Sequence, residues 1–161
     1  MPQPWIRVSI AAQQLELRDG DACRRVYAVS TAAKGAGERI GSEQTPRGLH
    51  EVAALIGDGA PCGAVFVGRQ FTGEVCSAPL RVAQPERDWI LTRIVWLGGL
   101  EDGRNLGGDV DTFSRYIYIH GTPDDEPMGE PHSHGCIRMR NADVIELFDQ
   151  LEVGTRVQID D

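Results

Sequence analysis

Positive charge is in short supply in this chain. Sixteen Lys and Arg stand against twenty-four Asp and Glu, a formal charge of −8. Phosphate-binding surfaces are built on cations, so nucleic acid is not an expected partner, and anionic lipid or wall polymer gains no electrostatic handle. No run approaches the ~18 apolar residues that cross a bilayer, so no membrane partner is expected. The opening MPQPWIRVSI has no cationic segment, apolar core or small-residue cleavage site, and a strand pattern begins at Trp5. These features predict a cytoplasmic protein; a periplasmic one would require the chain to be a trimmed piece of an exported precursor. Cysteines stand at 23, 62, 76 and 136 with no C-x-x-C pair, which argues against a disulfide framework. Cys23, Cys62 and Cys76 read as small buried apolar residues, with a Cys62–Cys76 bridge left open. GLEDGRNLGG is glycine-rich but lacks the Walker lysine, so no phosphate cradle is present.

What is present suits one domain, residues 1–161 with a core of about 5–160. Nineteen glycines and nine prolines favour short strands and structured loops over a helical bundle. Alternating apolar residues predict strands near 5–10, 14–18, 26–29, 50–55, 64–67, 90–95, 116–120 and 156–159. Residues 34–48 read as loop, and 98–111 as a loop covering or bordering a cleft. One convincing helix comes late: Asn141 as N-cap, then Val144, Ile145, Leu147, Phe148 and Leu151 at helical spacing, with Gly154 as the stop. The expected fold class is mostly β, a β-rich α+β arrangement.

Chemistry concentrates in RYIYIHGTPDDEPMGEPHSHGCIRM, residues 115–139. An apolar strand delivers His120 at its end, and a proline-punctuated loop leads to His132, His134 and Cys136. A thiol needs a base to become a nucleophile, and a carbonyl-attacking thiolate needs donors for the developing oxyanion. His120 can supply the base, and the S-H-G-C turn the main-chain N–H groups. The same residues admit a second reading, because H-x-H-x-C with His120 upstream carries zinc-ligand types. A purely structural role is the third.

The run H-G-T, a loop of about a dozen residues, then S-H-G-C-I-R-M resembles the signature of the YkuD family, the L,D-transpeptidase-like catalytic domains. The opening IRVSIAAQQLELRDG resembles that family's first hairpin, GSEQTPRGLHEV its T-P-x-G stretch, and RNADVIELFDQLEVGTRVQI its last helix and strand. The resemblance implies a β-sandwich with a cap over the active-site cleft. It implies Cys136 as nucleophile, His120 as base with its ring oriented by the Gly121 carbonyl, and Ser133, His134 and Gly135 shaping the oxyanion turn. Arg138 falls at the family's Arg/Asn position. Arg115 and Arg93 are weaker candidates for substrate carboxylates, against structural pairing with Asp109, Asp111 or Glu101. His132 lies outside the signature. No cofactor and no metal are implied.

Family members attack the bond before the terminal D-Ala of peptidoglycan tetrapeptide stems. In the expected compartment water is the most abundant acceptor, which predicts an L,D-carboxypeptidase acting on muropeptides during recycling. Crosslinking or D-amino-acid exchange by an L,D-transpeptidase is the alternative, and a muropeptide-binding sensor the second. Carbapenem β-lactams and iodoacetamide are expected to modify Cys136.

Overall fold

A computed structural model describes residues 3–161. The sequence alternation becomes hairpin pairing at once. β1 (Pro4–Ser9) runs antiparallel to β2 (Gln14–Asp19), with Ile6 opposite Leu17 and Val8 opposite Leu15. Because side chains alternate across a strand, these four aliphatics share one face, and all are essentially inaccessible to solvent. β3 (Ala22–Ser30) continues the meander, followed by β4 (Gly48–Ile56), β5 (Ala64–Val67) and β6 (Gln70–Val75). A short helix α1 (Ala78–Ala83) precedes the long β7 (Ile90–Gly99). β8 (Tyr118–Gly121), β9 (Ile137–Met139), α2 (Asn141–Phe148) and β10 (Arg156–Asp160) complete the chain.

The sheet order is β4-β10-β1-β2-β3-β9-β8-β7-β5-β6, and β4 also pairs with β7. Eight strands therefore close into a ring, with the β5–β6 hairpin hung on the start of β7. The layers of the expected sandwich are joined into a barrel-like whole, which removes the ring's free edges. Inside, Val29, Val52, Val95, Leu97, Ile119, Ile137, Val157 and Ile159 form an aliphatic core with the β1–β2 quartet. α2 buries Val144, Leu147 and Phe148 in that same cluster. Each such side chain contributes about 1.5–3 kcal/mol of transfer free energy.

Several elements differ from expectation. α2 stops at Phe148, and Arg140, not Asn141, is its N-cap. Asn141 instead lies buried with its amide tied to Thr92, Thr122 and Asp124. Gly154, at φ +96°, serves the turn into β10 and not a helix end. β6 and α1 were not expected: β6 is largely exposed and interrupted by Gly73, and α1 is too short to show a helical period. Residues 98–111 fold against β4, where the Asn105 amide donates to the carbonyls of Arg47 and Leu49. They do not line the cleft described below; the segment after α1, through Asp88, does.

Candidate active site

β8 sits between β7 and β9, antiparallel to the first and parallel to the second, with His120 opposite Arg138. All four residues of β8 are buried between its neighbours. The His120 side chain is 2% exposed. Its Nδ1 lies 2.6 Å from the Gly121 carbonyl oxygen. A carbonyl only accepts, so Nδ1 carries the proton and Nε2 is left with a lone pair. Gly121 allows this close packing: a Cβ there would fall on Asn141 Oδ1 and lie 2.7 Å from the Leu91 carbonyl.

The turn that presents Cys136 is fixed from three sides. Ser133 N–H donates to the Thr31 carbonyl and Ala33 N–H to the Ser133 carbonyl, both at 2.9 Å. Ser133 Oγ donates to the Cys136 carbonyl at 2.5 Å and accepts from Gly135 N–H at 3.2 Å. Thr45 Oγ donates to the Gly135 carbonyl at 2.9 Å while accepting from Ala32 N–H at 3.0 Å. Gly135 adopts φ +133°, a conformation that disfavours any side chain. Among the described residues, the main-chain N–H groups of His134 and Cys136 donate to no protein acceptor.

Cys136 is half-buried. Its Sγ accepts from Tyr118 N–H at 3.3 Å and lies 3.4 Å from the Tyr116 carbonyl. Cys136, His120, Ser133, His134, Arg115 and Arg138 line one cavity of about 300 Å³, together with Asp88, Ile90 and residues 116–118. Burial pushes the Cys136 thiol up to about 12; Asp88 adds to this, while Tyr118 N–H, Arg138 and Arg115 pull the other way. Burial lowers His120 to about 4, against the Gly121 hydrogen bond and Asp88, with Arg138 reinforcing it. At rest the cavity thus holds a neutral thiol and a neutral imidazole.

The arginines separate into distinct roles. Arg138 is half-buried in the cavity wall and makes no side-chain hydrogen bond or ion pair among the described residues. Arg115 reaches the cavity, but its guanidinium donates to the carbonyls of Gln44 (2.7 Å), Glu38 (3.1 Å) and Gly37 (3.4 Å) and to Ser42 Oγ (3.4 Å). It therefore secures residues 37–44 and lends its charge to the site. Arg93 is a correction: it is 6% exposed, donates to the carbonyls of Ala60 and Thr92, and lies over the Phe148 ring. It neither lines the cavity nor pairs with Asp109, Asp111 or Glu101. A register shift in β7, with Thr92 at φ +75°, turns it inward. His132 is exposed, pairs with Glu130 at 3.1 Å and is not in the cavity wall. Among the described residues, no three His, Cys, Asp or Glu gather as a metal site needs, so His120, His132, His134 and Cys136 are not brought together as one ligand set. The four cysteines are free.

Thr45, Asp88 and Tyr118 are the residues that sequence reasoning did not single out. Thr45 stood inside the T-P-x-G stretch without a role; the others carried no local signal.

A family model described as YkuD, L,D-transpeptidase catalytic domain, matches residues 3–159. Putative L,D-transpeptidase YqjB of Bacillus subtilis is 48% identical over 59 residues, 36% of this chain and 34% of that protein. Putative L,D-transpeptidase YkuD of the same organism is 43% identical over 61 residues, 35% of this chain and 37% of that protein. Among solved structures, L,D-transpeptidase 3 from Mycobacterium tuberculosis with a faropenem-derived adduct superposes with a TM-score of 0.60 at 18% identity, covering 99% of this chain and 61% of that one. The L,D-transpeptidase LdtMt1 in complex with imipenem gives 0.59 at 17% identity, covering 99% and 59%. At such identity the likeness is one of fold. The matched stretches span about a third of these curated relatives, and the chain about three fifths of these solved ones.

Proposed function

The chain belongs to the YkuD family of L,D-transpeptidase catalytic domains, and from that premise we propose that it breaks the bond before the terminal D-Ala of a peptidoglycan tetrapeptide stem and passes the acyl group to water, as an L,D-carboxypeptidase. The observation that carries the reading is the convergence of Cys136 and His120 on one cavity, with His120 Nδ1 committed to the Gly121 carbonyl.

Cys136 Sγ attacks the carbonyl carbon of the third stem residue as its proton passes to His120 Nε2. The oxyanion is met by the main-chain N–H groups around Cys136. Collapse breaks the C–N bond; the departing D-Ala amine takes the proton back from His120, leaving a thioester on Cys136. Water then attacks the thioester, His120 removes its proton, and the sulfur leaves and is reprotonated. Arg138, the uncommitted cation in the wall, binds a substrate carboxylate. Arg115 stabilises the developing negative charge from a distance. Ser133, His134 and Gly135 hold the turn.

The acceptor distinguishes carboxypeptidase from transferase. Water is favoured by the formal charge of −8, which gives no attraction to an anionic wall polymer. Crosslinking or D-amino-acid exchange, supported by the names of the curated relatives, follows from the same thioester with an amine in place of water. Carbapenems are expected to acylate Cys136 by the same attack. Wild-type and Cys136→Ala protein would be incubated with tetrapeptide, with and without an added D-amino acid, and the products weighed. Cysteine-dependent loss of one alanine supports the reading. A product formed only with the added amine makes the protein a transferase, and no turnover under either condition overturns the enzymatic role.

A further inference from the structure

Six of the ten Phe, Trp and Tyr residues gather beside the candidate cleft and outside the main core: Phe66, Phe71, Trp96, Phe113, Tyr116 and Tyr118. Trp96 is the hub. It stacks on Phe113 with ring centroids 4.0 Å apart and planes 4° apart, meets Tyr118 edge-on at 5.7 Å and leans on Tyr116 at 5.9 Å. Phe113 and Tyr116 nevertheless remain 40% and 53% exposed. Aromatic rings are the largest hydrophobic payload a chain carries, and leaving them in water forgoes that stabilisation. Here they are both ordered and exposed.

The backbone is bent to place them. Tyr116 has φ +58°, and Arg69, in the two-residue β5–β6 turn, has φ +65° where glycine would be easier. That turn sends the Arg69 guanidinium over the rings of Trp96 (5.0 Å) and Tyr116 (4.8 Å) and within 3.1 Å of the Tyr118 hydroxyl. The result is an exposed aromatic stack, with Phe113 outermost on Trp96 and Tyr116 tilted at its side, and a fork of donors lying over Trp96 and Tyr116. Negative ring faces attract the C–H faces of a pyranose, and guanidinium donors suit its hydroxyl and acetamido oxygens.

The surface is continuous with the cleft, since Tyr116 and Tyr118 line both. Its reach also fits. Tyr118 touches Cys136 through its N–H, Trp96 lies one ring further and Phe113 one beyond that. Three extended stem residues cover about 10 Å, the scale of the ring-to-ring steps that lead outward from Tyr118.

We propose that the Trp96–Phe113–Tyr116 surface with Arg69 is a binding site for the N-acetylhexosamine part of a glycan-linked stem peptide, so that the preferred substrate is the glycopeptide over the free peptide. This rests on the acyl-transfer reading for the identity of the attached peptide, but the sugar contact itself can be tested without turnover. Cys136→Ala protein would be titrated with a β-1,4-linked N-acetylglucosamine oligomer while the indole N–H resonance of Trp96 is followed, assigned by its loss in Trp96→Phe. A saturable shift that disappears in both Phe113→Ala and the bulk-preserving Phe113→Leu is expected. In wild type, KM for disaccharide-tetrapeptide should lie about tenfold below that for free tetrapeptide, and Phe113→Ala should abolish the difference with kcat retained. An unshifted indole with equal KM values overturns the proposal, as does concentration-dependent dimerisation through this face that Phe113→Ala reverses. A sugar-induced shift without turnover of either substrate would leave the sugar site standing and remove the acyl-transfer reading instead.

Discussion

At the scale of single residues, the site depends on two groups held neutral by burial. His120, lowered to about 4, stays deprotonated through the whole neutral range, as the proposed base must. The acid limb of kcat/KM should therefore fall well below the ordinary histidine value of ~6.5. A pH–rate profile with its acid limb at or above 6.5 would contradict this. Cys136, pushed up to about 12, holds almost no thiolate at neutral pH. The alkylation expected from the sequence should then be slow: at pH 7, iodoacetamide should label Cys136 at least about tenfold more slowly than exposed Cys23. Peptide mass mapping over time reads the ratio. Arg138→Gln removes the uncommitted cation while keeping a polar side chain in the cavity wall. It should raise KM about tenfold with kcat little changed, as loss of one charge-assisted contact predicts. An unchanged KM would assign Arg138 no part in binding.

Among elements, the S-H-G-C turn depends on a residue far away in sequence. Thr45 bridges Ala32 N–H and the Gly135 carbonyl, so Thr45→Val leaves both buried groups without their partner. A loss of about 1–3 kcal/mol in denaturant unfolding is expected, with kcat falling as the turn loosens. Stability loss with full kcat would show that the turn holds its geometry unaided.

This contact also marks the limit of what the sequence made legible. His120 at a strand end and the S-H-G-C turn were readable because their chemistry is local: residue type, spacing and a glycine suffice. The hairpin β1–β2 was readable because it alternates cleanly. Arg93 misled because β7 shifts register at Thr92, and no local pattern announces such a shift. Asn141 misled because a residue of good capping chemistry found three tertiary partners worth more than a cap. α1 carried a legible start, since Ser77 Oγ accepts from Leu80 N–H and Pro79 sits in the first turn. Its six residues are too few for a periodic stripe.

Across the whole molecule, two buried histidines give stability a pH dependence. His50 joins His120 as a buried neutral imidazole: its Nδ1 donates to the Gly48 carbonyl at 3.0 Å, and its Nε2 accepts from the Thr112 hydroxyl at 2.9 Å. Burial lowers it to about 4 as well. Both histidines bind a proton in the unfolded chain below ~6.5 but in the fold only below about 4. The unfolded state therefore holds more protons in that window, and folding stability is full above ~6.5 and falls as pH drops towards 4. Each shift corresponds to about 3 kcal/mol. Urea midpoints measured from pH 7 to pH 4 should fall steeply, and His50→Gln should flatten part of the slope; a flat profile in wild type would contradict neutral burial.

The central claim is that Cys136 carries the acyl group with His120 as its base. Intact-protein mass spectrometry after brief mixing with a stem tetrapeptide tests it most directly. The account predicts an adduct of the tetrapeptide mass less one alanine, mapped to Cys136, absent in Cys136→Ala and formed far more slowly in His120→Gln. Release of D-Ala by the Cys136→Ala protein, or an adduct on another residue, would contradict it.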